Sequence, residues 1–244
     1  MKKLMCAAAA LVAGVAVADI TSANIVGYAE SALRSGAMMI APQFVNIGTS
    51  KDIDLQSLTP TGSGVIDQAE IKVLNSYGVG VEDYIWTSGD DVDSVNDCWA
   101  NEDQDTKIND RTFAPGTGLW VYGKSGQGLR SVGEVEQVND IVFPLCSGAI
   151  GCGNPFPVAL DLQNIIPEGS GIIDQAEIKV LNSYGVGVED YIWTSGDDVD
   201  SVNDCWANED QDTKITGRMV LPGEGLWVYG KNGQSLRFCN PFVE

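Results

Sequence analysis

The chain repeats itself. Residues 62–130 return as residues 169–237 at a constant offset of 107, with 60 of 69 positions identical. Two segments this alike must fold alike, so the chain is built from two copies of one architecture. A fainter correspondence runs upstream. Asp54-Leu55-Gln56 matches Asp161-Leu162-Gln163, and SGAMMIAP (35–42) resembles SGAIGCGNP (147–155) with small shifts in register. The unit is therefore roughly 105 residues, a normal size for an independent domain. The boundaries expected are residues 19–131 for the first domain and 132–244 for the second. A single domain with exchanged strands is the alternative.

Within each unit the periodicity is that of strands. EIKVLN (70–75), DYIWT (83–87) and GLWVYG (118–123) are rich in Val, Ile, Tyr and Trp. They are bounded by turn formers such as Ser88-Gly89-Asp90, Pro115-Gly116 and Ser125-Gly126. The stretch 57–71 has some helical character, which its glycines oppose. GLRSVGEVEQVNDIVFPL (128–145) reads as a hairpin leading into the second unit. The second unit ends without an equivalent hairpin, so either that hairpin is missing or residues 20–31 play a similar part. The fold class predicted is all-β, two tandem sandwich-like domains related by internal duplication.

The N-terminus carries an export signal. Lys2 and Lys3 precede the small and apolar run from Leu4 to Val17, and Ala16-Val17-Ala18 supplies a small-x-small cleavage site. Residues 1–18 are thus a signal peptide, and the mature chain begins at Asp19. That apolar run is too short to span a bilayer, and nothing beyond it is long and apolar enough to do so. An exported location follows: extracellular, cell-surface or periplasmic.

Charge and composition exclude several chemistries. The chain has 34 acidic residues, 14 basic ones and no histidine, a formal net charge of -20. Loss of Lys2 and Lys3 with the signal takes this to -22. Without histidine there is no Ser-His-Asp or Cys-His nucleophile system and no His-ligated metal. A polyanion of this kind repels nucleic acid.

Export makes disulfides an option. After cleavage five cysteines remain: Cys98, Cys146, Cys152, Cys205 and Cys239. Cys98 and Cys205 occupy equivalent positions, and the other three have no counterparts. Cys239 bonded to Cys152 or Cys146 would staple the second unit, closing a loop worth about 4–5 kcal/mol in the chain-entropy account. Cys98 and Cys205 would join the units only beside a pseudo-twofold axis. The reading favoured for that pair is two small buried residues.

The segment 89–110 is dense in carboxylates: Asp90, Asp91, Asp93, Asp97, Glu102, Asp103, Asp105 and Asp110. Alternating oxygen ligands, as in Asn101-x-Asp103-x-Asp105, suit a hard cation, so Asp103, Asp105, Asp210 and Asp212 are candidate calcium ligands. The spacing fails the EF-hand pattern, with Thr106 where Gly is needed and Thr112 where Glu is needed. The competing reading is a solvated acidic loop. No cofactor other than calcium is suggested.

All six tryptophans lie in the duplicated segments, accompanied by Tyr77, Tyr84, Tyr122 and their copies. Exposed aromatic rings stack on sugar faces, and amides and carboxylates beside them bond sugar hydroxyls. Trp99 and Trp206 have polar neighbours, which makes Trp99, Asn101, Trp206 and Asn208 candidate glycan contacts. Trp120 reads as core, and Trp86 alternates with Tyr84 on a strand face. Paired carboxylates could also run glycoside hydrolysis without histidine, although no pair stands out.

TSANIVGY (21–28), GNPFP with a following LDLQ (153–163), and PGxGLWV (115–121 and 222–228) resemble motifs of a loosely defined group of exported bacterial β-repeat proteins. Unit one departs from the pattern, with Ala41-Pro42-Gln43-Phe44 in place of GNPFP. The resemblance implies export and β architecture, and it implies no activity or binding residues. The expectation is a non-enzymatic exported surface or extracellular-matrix protein, structural or interacting, partnered by polysaccharide or by its own copies. The alternatives are a carbohydrate-binding module, calcium-dependent or not, and a carboxylate hydrolase.

Overall fold

A computed structural model describes residues 26–47, 51–62, 69–88, 97–169, 176–182, 184–195 and 204–241. Residues 1–18, expected to be a signal peptide, and the acids at 90, 91 and 93 lie outside these. The protein is all-β. The first unit contributes β1 (Val26–Ala32), β2 (Gly36–Ile40), β3 (Phe44–Val45), β4 (Ile53–Asp54), β5 (Leu58–Gly62), β6 (Glu70–Leu74) and β7 (Gly80–Thr87). It continues through β8 (Cys98–Ala100), β9 (Thr112–Phe113), β10 (Leu119–Gly123) and β11 (Gln127–Val135). The second contributes β12 (Asp140–Pro144), β13 (Gly148–Gly153), β14 (Leu160–Asp161), β15 (Ile165–Gly169) and β16 (Glu177–Leu181). It closes with β17 (Gly187–Thr194), β18 (Cys205–Ala207), β19 (Met219–Val220), β20 (Gly225–Gly230) and β21 (Gln234–Cys239). Among the described residues no helix is long and apolar enough to cross a membrane.

Each unit has a five-stranded antiparallel sheet, in order β2-β10-β6-β7-β8 and β13-β20-β16-β17-β18. A smaller sheet lies on its inner side, β11 with β1, β3 and β5, or β21 with β12 and β15. Alternation along the strands decides what goes between them. In β10, Leu119 and Val121 point inward with Ile71 of β6, Tyr84 and Trp86 of β7, and Leu129 of β11, forming one core. The copies of these residues form the core of the second unit. Where 57–71 hinted at a helix, a single 3₁₀ turn at Leu55–Ser57 leads straight into β5.

The segment 128–145 is not a hairpin. Its first half, β11, stays in the first unit, pairing Glu134 with Val45 and Val135 with Phe44. Its second half, β12, pairs with β21 at the far end of the chain. The expected boundary at 131/132 therefore cuts a strand, and the link between units is residues 136–139. In the second unit β12 does what β1 does in the first, where Val26–Ala32 pairs with Gly128–Glu134, while β3 has no counterpart among the described residues there. The two segments differ in sequence, so the equivalence is visible only in the pairing.

The units meet about a pseudo-twofold axis. Residues on the outer faces of the five-stranded sheets, Ala37, Met39, Trp120, Ala149, Leu181 and Trp227, form a third buried cluster joined by Leu74. Backbone bonds add to it: Gly118 N–H donates to Gly151 O at 3.0 Å, Gly153 N–H to Gly116 O at 3.0 Å, and Ala41 N–H to Gly223 O at 3.0 Å. The bridges Thr117–Cys152 and Ile40–Glu224 are pseudosymmetric equivalents. Each unit thus covers the free edge of the other's β2 or β13, removing two sites of unwanted strand pairing. Close approach requires glycine here. A Cβ on Gly118 would lie 2.7 Å from Cys152 N, and one on Gly225 2.2 Å from Met39 Cγ.

Candidate functional site

The residues first expected to touch a glycan do not face solvent. Trp99 and Trp206 are both 0% exposed. Their polar neighbours belong to the loop that follows, whereas the tryptophans sit on β8 and β18, opposite Trp86 and Trp193. Each pair meets edge to face, centroids 5.4 Å apart at 74°. Trp99 Nε1–H donates to Leu58 O at 2.6 Å, and Trp206 Nε1–H to Ile165 O at 2.6 Å. The Gln56 amide holds the strand from the other side, donating to Trp99 O and Ile108 O and accepting from Trp99 N–H. These tryptophans are core anchors, and carbohydrate contact at Trp99 or Trp206 is excluded by burial.

Asn101 and Asn208 are exposed to a degree, but their side chains organise the loop. Asn101 Oδ1 accepts from the N–H groups of Asp105 (3.1 Å) and Thr106 (3.0 Å), and its Nδ2 donates to Asp105 Oδ1 at 2.9 Å. Thr106 Oγ1 donates to the same carboxylate oxygen at 2.9 Å. Asn208, Asp212 and Thr213 repeat the arrangement. Bonds from Asn101 and Thr106 hold the Asp105 carboxyl below its usual range, as those from Asn208 and Thr213 do for Asp212. The first and last positions of the Asn-x-Asp-x-Asp spacing thus serve a self-bonded loop. Among the described residues, no group of three carboxylates or thiols converges on a point where a cation could sit.

The five cysteines among the described residues are free thiols. Cys239 lies opposite Asp140 at one end of β12. Cys146 follows the other end of that strand, about 20 Å away at the rise of an extended chain. Cys152 points into the core of the second unit, where burial pushes its thiol well up. Neither Cys239–Cys146 nor Cys239–Cys152 forms. Cys98 and Cys205 are buried on the outermost strands, four strands from the edge where the units meet, or about 19 Å. Each sits beside a threonine hydroxyl, Thr87 at 3.9 Å and Thr194 at 3.8 Å, as small buried residues.

The site that the fold does build lies between the units. Alternation sends Trp120 and Tyr122 of β10 outward, and their copies Trp227 and Tyr229 do the same from the other side. The β6–β7 hairpins then cross over. A bulge shifts register between Val73 and Leu74, and again between Val180 and Leu181. Bulges re-aim the strand beyond them, and here they carry Leu74 and Leu181 into the inter-unit cluster. The turn after β6 is set by Asn75, whose Oδ1 accepts from Tyr77 N–H (2.9 Å) and Val79 N–H (3.1 Å). Gly78 takes φ +75° there, a conformation open to glycine. The turn leaves the Tyr77 ring 89% exposed, and Asn182 sets Tyr184 the same way at 88%.

The result is a cleft of about 1020 Å³ lined by six aromatic rings in three pseudosymmetric pairs: Tyr77 and Tyr184, Tyr122 and Tyr229, Trp120 and Trp227. The tryptophans form its nearly closed floor, while Tyr122 and Tyr229 are 37% exposed. Small residues and leucines fill the gaps, and no carboxylate or amine among the described residues lines it. Just outside, Lys72 Nζ lies 5.8 Å from the Tyr122 ring centre, and Lys179 Nζ 5.8 Å from that of Tyr229. Neither lysine is available to a ligand as a free charge. Lys72 is held by Asp83 (2.6 Å) and Glu70 (2.5 Å), and Lys179 by Asp190 (2.6 Å) and Glu177 (2.5 Å). Those carboxylates hold both ammonium groups well above the usual lysine range, and burial pushes the Glu70 carboxyl up.

Beside the cleft, a separate ionic network breaks the symmetry. Arg111 binds Glu82 (2.7 and 2.9 Å) and the Tyr84 hydroxyl (3.0 Å). Its copy Arg218 binds Glu189 and Tyr191 likewise, and also Glu224, which stands where unit one has Thr117. The tyrosines of the cleft carried a legible signal, since Asn-Ser-Tyr-Gly between two apolar runs puts an aromatic ring at a hairpin tip. What the sequence did not carry was that two tips from different repeats would face one space. No protein-family model, curated protein or solved structure matches the chain.

Proposed function

We propose that this is a non-enzymatic exported protein of the cell surface or extracellular matrix, and that it acts by holding a partner in the cleft between its two units. The observation that carries the reading is the cleft itself, in which two tyrosine rings stand almost fully in solvent on glycine turns. Large aromatics displayed at low entropic cost are what binding surfaces use. Further support comes from the chemistry of the lining, which offers stacking surfaces and no acid–base pair. The hydrolase alternative has less behind it, because the nearest carboxylates share a lysine in each unit rather than flanking an open space. Two partner classes follow from the sequence, a polysaccharide or another copy of the chain.

The test uses the full exported chain in native gels cast with matrix polysaccharides, and in sedimentation at rising concentration. Retardation by a polymer, or a concentration-dependent rise in mass, is expected, and a Tyr77→Ser/Tyr184→Ser variant of unchanged melting temperature should lose it. A protein that stays monomeric and is retarded by nothing sinks the proposal.

A further inference from the structure

Taking the cleft as the binding site, we infer that its ligand is an uncharged polysaccharide chain, and that the two repeats form one site for it rather than one each. This rests on the reading above and names its ligand class.

Charge sets the first limit. No described residue lining the cleft is charged, each lysine beside it is matched by two carboxylates, and the Arg34 guanidinium at its edge donates to Leu181 O at 3.4 Å. With a net charge of -20 around it, the cleft offers a uronate or sulfate group no cation among its described lining residues and repels it at long range. A protein partner is a poorer fit as well. Extended peptides dock by adding to a strand edge, but the edges of β2 and β13 are already bridged by residues 223–224 and 116–118 of the opposite unit. The exposed rings at the rim are tyrosines, and a phenol ring stacks on the C–H face of a sugar while its hydroxyl stays wet.

Symmetry sets the second limit. The lining pairs are related by a twofold, so the two halves of a bound chain meet identical groups presented in opposite directions. A polysaccharide has a direction, and directional hydrogen bonds made to one half would be wrong for the other. Ring stacking does not read chain direction. A lining of aromatics without fixed polar donors therefore suits a single chain lying across the axis, with Tyr77 gripping one half and Tyr184 the other. Two independent sites would need two complete linings, and the cleft holds one copy of each ring from each repeat.

The experiment combines native affinity gels with titration calorimetry on the full exported chain. Laminarin, xyloglucan and galactomannan serve as uncharged polymers, alginate and heparin as anionic ones, and chitosan as a cationic one. The inference expects retardation by at least one uncharged polymer. A soluble oligosaccharide of that polymer should bind with one ligand per chain, and Tyr77→Ser or Tyr184→Ser alone should weaken it about tenfold. Both substitutions are at exposed hairpin tips, and unchanged melting temperatures verify folding. Retention only by alginate, heparin or chitosan overturns it, as do two ligands per chain or binding indifferent to both tyrosines. Self-association lost with Tyr77 and Tyr184, and no retained polymer, overturns it while leaving the cleft as the functional site. Neither binding nor association removes both.

Discussion

At the scale of single residues, the decisive contrast is between two kinds of tryptophan. Trp99 looks exposed in sequence because Asn96, Asp97 and Asn101 surround it, yet it is fully enclosed and its indole N–H is spent on Leu58 O. Trp99→Phe removes volume from a closed core and strands a buried carbonyl. It should cost about 3 kcal/mol of unfolding free energy in chemical denaturation, and Trp206→Phe should cost a similar amount. Carbohydrate affinity should be untouched by either. A second residue prediction concerns alkali. Burial and the hydrogen bond to the Glu189 carboxylate push the Tyr191 hydroxyl up to about 12 from its ordinary 10. The folded state keeps a proton that the unfolded chain releases sooner, so the contribution is intact below pH 10 and is lost as pH rises from 10 to about 12. A tyrosinate absorbance titration should show a step near 12 that Tyr191→Phe diminishes.

Elements were legible where their pattern is local. The runs at 70–75, 83–87 and 118–123 became β6, the end of β7, and β10, because period-two alternation with one buried face needs no knowledge of the rest of the chain. The segment 128–145 was not legible. Two apolar runs with a polar gap read as a hairpin, but each strand found a better partner in its own unit, and no local pattern encodes that choice. The β6–β7 hairpin is the element on which the proposed binding depends. Asn75 holds its turn with two side-chain bonds and accepts Gly78 N–H at its carbonyl. Asn75→Ala should lower stability by only about 1 kcal/mol. Binding should weaken more than that figure implies, since Tyr77 would have to be ordered when the ligand arrives. Calorimetry on Asn75→Ala beside Tyr77→Ser separates loss of order from loss of the ring.

For the whole molecule, the question is why nearly identical repeats differ where they do. The fainter half of the duplication, GAMMIA against GAIGCG, is the part that lies on the axis. Met39 occupies space against Gly151 and Gly225, and its counterpart in the second unit is Gly151 itself. A methionine in both places would claim the same volume, so a true twofold is sterically closed and the sequences had to diverge there. The same crowding gives the prediction at this scale. Gly225→Ala would set a Cβ 2.2 Å from Met39 Cγ and 2.6 Å from the Met39 backbone carbon. The expected outcome is separation of the units, with one calorimetric transition becoming two and glycan binding lost, because each unit keeps only half the cleft. A single transition with binding intact would show that the interface yields.

The sequence by itself determined that there are two copies of one β unit, where their main strands run, and that histidine chemistry is absent. Those conclusions rest on repetition, alternation and composition, all readable along the chain. Only the tertiary structure decided which aromatics face water, that the five described cysteines stay unpaired, and that two repeats share a single cleft. Burial and distance are set by contacts between residues a hundred or more positions apart, such as Trp120 with Trp227. Alternation sends Trp120 out of its own unit's core, and only the position of the other unit makes that outward face the floor of a cleft.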